Sequence, residues 1–77
     1  MTNDGDMRTR AEVAKNVRAA LGAARVSQAG AAKALGMSPG TFNRRVNGKT
    51  AFDVEELERL ATFLDVPYSQ LVEVTPR

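Results

Sequence analysis

The side chains with the most specific chemistry lie in one short segment of the chain, residues 38–49. If this segment is a helix with 100° per residue, Phe42 and Val46 share one side. The opposite side then carries small and polar residues: Gly40, Asn43, Arg44 and Asn47. Arginine can bridge the O6 and N7 atoms of guanine, and asparagine can pair with adenine. Such a short helix suits contact with base edges in the major groove of DNA.

The residue types that catalysis most often requires are missing from the chain. It contains no cysteine and no histidine, which removes disulfides, the usual zinc ligands and the usual general base at neutral pH. The acidic cluster at residues 53–58 is interpreted as helix capping and surface charge, because a bundle of 77 residues has little room for a catalytic cleft. We therefore expect no enzyme, cofactor, metal or small-molecule ligand.

Size and composition indicate one small globular domain. The chain has 77 residues, of which 43% are hydrophobic and 26% charged, typical of a soluble fold with a thin core. Uninterrupted apolar runs are too short for a membrane span or a signal sequence. We expect a cytoplasmic protein without membrane contact, and no effector or oligomerisation domain after the bundle.

The charges are distributed unevenly along the chain. Residues 1–50 hold nine Lys/Arg and three Asp/Glu, whereas residues 51–77 hold two Arg and six Asp/Glu. The first part is therefore net positive by 6 and the second net negative by 4. This asymmetry suggests a face for a polyanion, although a charged run is more often ordinary solvated surface.

Hydrophobic periodicity predicts the helices that position the polar segment. Helix 1 is expected at about 10–24, after a disordered tail at 1–8, within a domain spanning 9–74 and followed by a tail at 75–77. Ser27 is the expected N-cap of helix 2 at 28–35, and Gly36 ends that helix in the left-handed conformation. The apolar stripe of helix 1 is Val13, Val17, Ala20, Leu21 and Ala24.

Helices 3 and 4 have the clearest boundary signals. Ser38 followed by Pro39 begins helix 3, which is expected to run to residue 47 and stop at Gly48. Asp53 and Glu56 predict a capping box for helix 4, and a last short helix follows it. Helix 4 is expected to bury Val54, Leu57, Leu60, Ala61 and Leu64. No segment alternates with period two, so we predict an all-α bundle of four to five helices.

Helices 2 and 3 match the requirements of a helix-turn-helix unit. Ala32 is small enough for close helix contact, and Gly36 supplies the turn. Arg45 stands where an apolar residue is usual, and Val46 is expected to take over part of that apolar packing. An ordinary helical hairpin remains the alternative, and the polar face of helix 3 favours the helix-turn-helix. The predicted core is Val17, Leu35, Phe42, Leu57, Leu60 and Leu64.

The register of these residues resembles the λ-repressor-like helix-turn-helix family, of the Cro and xenobiotic-response-element type. The resemblance runs without gaps from Glu12 to Val72. It is carried by Ser27-Gln28, Ala32, Gly36, Ser38-Pro39, Asn47-Gly48-Lys49, Leu57, Leu60-Ala61, Leu64 and Leu71. The resemblance implies a bundle of four or five helices that binds double-stranded DNA and usually regulates transcription.

The resemblance also implies roles for individual residues. Gln28 would contact a phosphate and brace helix 3. The positions that read bases would be Pro39, Gly40, Asn43 and Arg44. The positions that contact the DNA backbone would be Ser38, Thr41, Asn47 and Lys49.

Several residues depart from the family pattern. Gly30 stands where a glutamate is usual, so Ser27 lacks a capping-box partner. Pro39 and Gly40 have no long side chain, which moves base reading onto the later residues of helix 3. Phe52 stands where proline is frequent. The four aromatic residues, Phe42, Phe52, Phe63 and Tyr68, are expected to pack in the core or at hinges.

The sequence thus predicts a phage or prophage Cro-like repressor that binds duplex DNA. One such unit covers one half-site, so we expect a weak or DNA-induced homodimer. Two alternatives stay open: an antitoxin of the same fold that also binds a toxin, and a protein–protein adaptor that binds no DNA. The apolar candidates for a dimer contact are Val66, Tyr68, Val72 and Val74.

Overall fold

The computed structural model describes the backbone of residues 4–74 and the side chains of residues 9–74. Within this range the backbone is helical, with turns and loops but no strand, which confirms the predicted all-α class. None of these helices is long and apolar enough to cross a membrane. The helices are α1 (Asp4–Ala24), α2 (Gln28–Leu35), α3 (Pro39–Val46), α4 (Val54–Leu64) and α5 (Tyr68–Val72).

The first helix is longer than its apolar stripe predicts. It begins at Asp4 rather than near residue 10, so the expected tail at 1–8 overlaps its first turn. Apolar periodicity detects the part of a helix that packs. A helix nucleated there extends outward, because each added residue gains a hydrogen bond without a new nucleation cost. Residues 1–3 and 75–77 of the expected tails lie outside the described residues.

Side-chain caps begin three of the five helices in the described part of the chain. The Oγ of Ser27 accepts a hydrogen bond from the backbone N–H of Gly30 at 3.0 Å. Ser38 caps α3 in the same way, and Asp53 with Glu56 forms the predicted capping box of α4. At α2 the hydrogen bond from the Gly30 N–H to the Ser27 side chain is therefore present. The reciprocal bond of a capping box is absent, because Gly30 has no side chain to accept from the Ser27 backbone N–H.

The first four helices end with one shared arrangement. In each, the chain turns through a residue with positive φ, and two backbone N–H groups bond back to carbonyls in the last turn. Gly36 (φ 70°) occupies this position after α2, as predicted, and Gly48 (φ 79°), where α3 was expected to stop, occupies it after α3. Arg25 and Asp65, both at φ 58°, occupy it after α1 and α4. At these two positions a Cβ makes the left-handed conformation costly.

The core is one continuous cluster formed by all five helices. The six residues predicted from the sequence all belong to it, which confirms that prediction. Phe42, Val46, Leu60 and Leu71 have no exposed surface. The side-chain amide of Asn16 links α1 to the C-terminal end of α5. It donates to the carbonyls of Leu71 (3.1 Å) and Glu73 (2.6 Å).

Three apolar side chains are more exposed than the sequence suggests. Val54 is 59% exposed, Phe63 47% and Tyr68 36%, so the expected burial of Val54 is wrong, and Phe63 and Tyr68 do not lie in the core. Val54 and Tyr68 are the first residues of their helices, where fewer neighbouring elements cover a side chain. At 100° per residue Val54 also lies about 70°, and Phe63 about 110°, from the mean direction of the buried residues of α4.

Candidate nucleic-acid interface

Helix α3 is held by its apolar side, which leaves its polar side in solvent. Phe42 and Val46 are fully buried, and Phe42 meets the ring of Phe52 edge-on at a centroid distance of 5.8 Å. Helix α2 packs against α3 across the turn at Gly36. This pair of helices is the helix-turn-helix unit that the spacing predicts.

The outward side of α3 carries the predicted polar residues. Gly40, Asn43, Arg44 and Asn47 are all exposed. An α-helix with its side chains is about 10–12 Å in diameter, so α3 fits the major groove of B-DNA, which is about 12 Å wide. The structure ends α3 at Val46, with Asn47 as its C-cap, one residue earlier than expected.

The side chain of Arg44 extends toward the first turn of α3, and four of the predicted residues meet there. Its Nη2 donates to Thr41 Oγ1 at 3.5 Å, and its Nη1 lies 3.9 Å from the place that a Cβ on Gly40 would occupy. Ser38 Oγ donates to Thr41 Oγ1 at 2.9 Å and accepts from the Thr41 backbone N–H at 3.2 Å. The guanidinium is therefore displayed beside the N-terminal part of α3, not at its middle.

Lys49 lies beyond the end of α3. Its backbone N–H donates to the carbonyl of Arg44 at 2.9 Å, which fixes the chain after Gly48, while its side chain is exposed. The two cations thus leave the backbone at different places, one inside the helix and one after it.

Gln28 stands apart from this group. It is the exposed first residue of α2, and within residues 9–74 the structure gives it no side-chain hydrogen bond to α3. The phosphate contact and the bracing of α3 that the family resemblance implies for Gln28 stay predictions.

Sequence reasoning missed Arg18, which the structure links to the end of α3. Its Nη1 donates to the carbonyl of Val46 at 2.8 Å. A cation at this end of a helix also complements the helix dipole. The only signal in the sequence is that Arg18 lies off the apolar stripe of α1. Because 28 positions separate the partners, no local pattern could identify the contact.

Arg45, which interrupts the apolar pattern, has a polar partner. Its Nε donates to Glu56 Oε1 at 2.8 Å, and both side chains are mostly covered, at 21% and 16% exposure. The same oxygen accepts the backbone N–H of Asp53 at 2.9 Å. The capping box of α4 is thereby joined to α3, and Val46 fills the apolar position, as predicted.

The chain segment that contains α2 and α3 carries only positively charged side chains. Residues 13–52, which include α2 and α3, contain seven Lys/Arg and no Asp/Glu. The acidic residues begin at Asp53 and continue along the first turn of α4 with Glu55 and Glu56. An uninterrupted basic segment around an exposed polar helix is the electrostatic pattern of a nucleic-acid-binding surface.

The fold and this face define a small helix-turn-helix DNA-binding protein. The family model described as "Helix-turn-helix domain" matches residues 7–73, and the chain belongs to this family. Comparison with curated proteins gave no match, and comparison with solved structures gave none.

Proposed function

We propose that the protein is a sequence-specific transcriptional regulator that reads the major groove of duplex DNA with α3. One observation carries the proposal. Asn43 and Arg44 are exposed on a helix whose other side is fixed in the core by Phe42 and Val46. A rigidly held helix presents such side chains in a constant geometry, which base reading requires.

The exposed residues divide into two roles by chemistry and place. Arg44 suits a guanine edge and Asn43 an adenine edge, because each can form two hydrogen bonds to its base. Pro39 and Gly40 provide a flat start to α3 that lets the helix approach the groove. The residues proposed to contact phosphate or sugar are Gln28, Ser38, Thr41, Asn47 and Lys49. These contacts set the register of the helix and carry little sequence information.

The finer assignment is a Cro-like repressor whose two copies bind the two halves of a symmetric operator. Within residues 9–74 the large apolar side chains left exposed are Val54, Phe63 and Tyr68. Val66 and Val72, two candidates for a dimer contact, pack against the core instead. A small remaining apolar surface favours weak pairing in solution, which DNA strengthens by holding both copies on adjacent half-sites.

Selection of bound duplexes from a random library tests this function. We expect an enriched motif with inverted repeats, and a loss of affinity for it as salt rises, since phosphate contacts release counterions. Arg44→Ala should change the enriched motif. Arg59→Ala is the matched control, because it also removes an exposed arginine from a helix but lies in the acidic part of the chain.

Failure to enrich any duplex at low and moderate salt would contradict the proposal. A role in binding protein, as an adaptor or as the antitoxin of a toxin, would then replace it. An enriched motif without inverted repeats would support sequence-specific DNA binding. It would contradict the finer assignment of a Cro-like repressor that binds as two copies.

A further inference from the structure

Gly40 has no structural reason to be glycine. Its φ is not in the left-handed region, and a Cβ built there meets only the Arg44 side chain within 4 Å. Gly40 is the second residue of α3, and neither its backbone conformation nor a close backbone approach requires glycine there. The absence of a side chain at position 40 therefore does not stabilise the fold. Among the described residues it affects only Arg44, whose guanidinium lies beside this position.

The geometry points to Gly40 and Arg44 as one specificity-determining pair, an inference that rests on the proposed DNA-binding function. Residues four apart lie one above the other on a helix, and long side chains lean toward its N-terminus. Arg44 follows this rule and directs its guanidinium at the place where a side chain of residue 40 would stand. Because Gly40 has no side chain, the Arg44 guanidinium can contact the base pair that a longer side chain at position 40 would face.

The spacing shows how a larger residue at position 40 acts. A Cβ alone would lie 3.9 Å from Arg44 Nη1, already in ordinary van der Waals contact. Carbon atoms beyond that Cβ compete with the guanidinium for the same space. Gly40→Leu therefore moves Arg44 away from its base pair and offers no hydrogen bond in exchange.

A double-mutant cycle tests the pair. The parent, Gly40→Leu, Arg44→Ala and the double variant are each measured by duplex selection and by competition between the selected and a scrambled duplex. We expect Gly40→Leu to reduce the preference at the Arg44 base pair about tenfold, as loss of a bidentate base contact does. In the Arg44→Ala background the same substitution should cause no further loss, because the group that it displaces is gone.

Gly22→Leu is the matched control. Gly22 is also an exposed glycine inside a helix, and a Cβ there meets nothing within 4 Å. Both leucine variants should keep the helical content of the parent, since both positions are exposed and neither has a left-handed backbone. Only the variant at position 40 should change the base preference.

Two results would overturn the inference, and they can be told apart. An equal loss from Gly40→Leu in both backgrounds means that position 40 meets the DNA independently of Arg44. A parent chain that enriches no duplex removes the DNA-binding function on which the inference rests.

Discussion

Replacing Phe42 by alanine tests whether α3 is held in place by its buried side. Phe42 has no exposed surface and is the largest of the fully buried side chains. Fully buried Phe→Ala changes cost about 3–5 kcal/mol, and the edge-on contact with Phe52 places the expected loss in the upper part of that range. A domain of this length has a total stability of about 4–12 kcal/mol, so the change removes a large share of it.

Thermal unfolding followed by circular dichroism measures this loss. A decrease of about 4 kcal/mol corresponds to a melting temperature lower by roughly 15–30 °C in a domain of this size. Phe63→Ala is the matched control, because Phe63 is 47% exposed and should lose only about 1 kcal/mol or less. If Phe42→Ala is unfolded at all temperatures, Phe42→Leu gives a graded value of about 1–2 kcal/mol.

Equal melting temperatures for Phe42→Ala and Phe63→Ala would refute this reasoning. A melting temperature of Phe42→Leu equal to that of the parent would also refute it. In either case α3 would not be anchored through Phe42, and the side chains on its opposite face would not be held in a constant position.

Three further stability changes follow from the helix ends and can be measured by urea unfolding. Asp65→Gly should raise the free energy of unfolding by about 0.5–1 kcal/mol, because glycine adopts φ 58° without the Cβ penalty; a loss would contradict this. Gly48→Ala should lower the free energy of unfolding by about 1 kcal/mol, since its φ is 79°, and an unchanged midpoint would count against it. Glu56→Ala should cost about 1–2 kcal/mol by removing the acceptor shared by Asp53 and Arg45. Glu56→Gln, which keeps an oxygen there, should cost less, and equal losses in the two variants would show that a neutral oxygen does not replace the carboxylate as acceptor.

Local signals in the sequence were sufficient to predict most of the fold. The caps at Ser27, Ser38 and Asp53 and the turns at Gly36 and Gly48 act within a few residues, so propensity and backbone geometry determine them. The core positions follow from helical periodicity, because each helix buries one stripe. The left-handed turn at Asp65 has no clear signal in the sequence, since a residue with a Cβ seldom adopts that conformation.

What the sequence could not predict depends on contacts between distant residues. Arg18 bonds to the carbonyl of Val46, and Arg45 bonds to Glu56, only after the helices have packed. The exposure of Phe63 likewise depends on which neighbours cover α4. In the candidate interface, the exposed face of α3 was predicted correctly, whereas the position of the Arg44 guanidinium over the first turn requires the folded helix.

The most direct test of the central claim compares Arg44→Ala with Lys49→Ala on the selected duplex and on a random duplex. Arg44 is proposed to read a base, and Lys49, beyond the end of α3, is proposed to contact a phosphate. Arg44→Ala should cost about 1–3 kcal/mol on the selected duplex and much less on the random one. Lys49→Ala should weaken both equally and lower the salt slope by about one unit. Equal loss on both duplexes for Arg44→Ala would make Arg44 a backbone contact, and no effect from either variant would contradict the assignment of α3 as the DNA-reading helix.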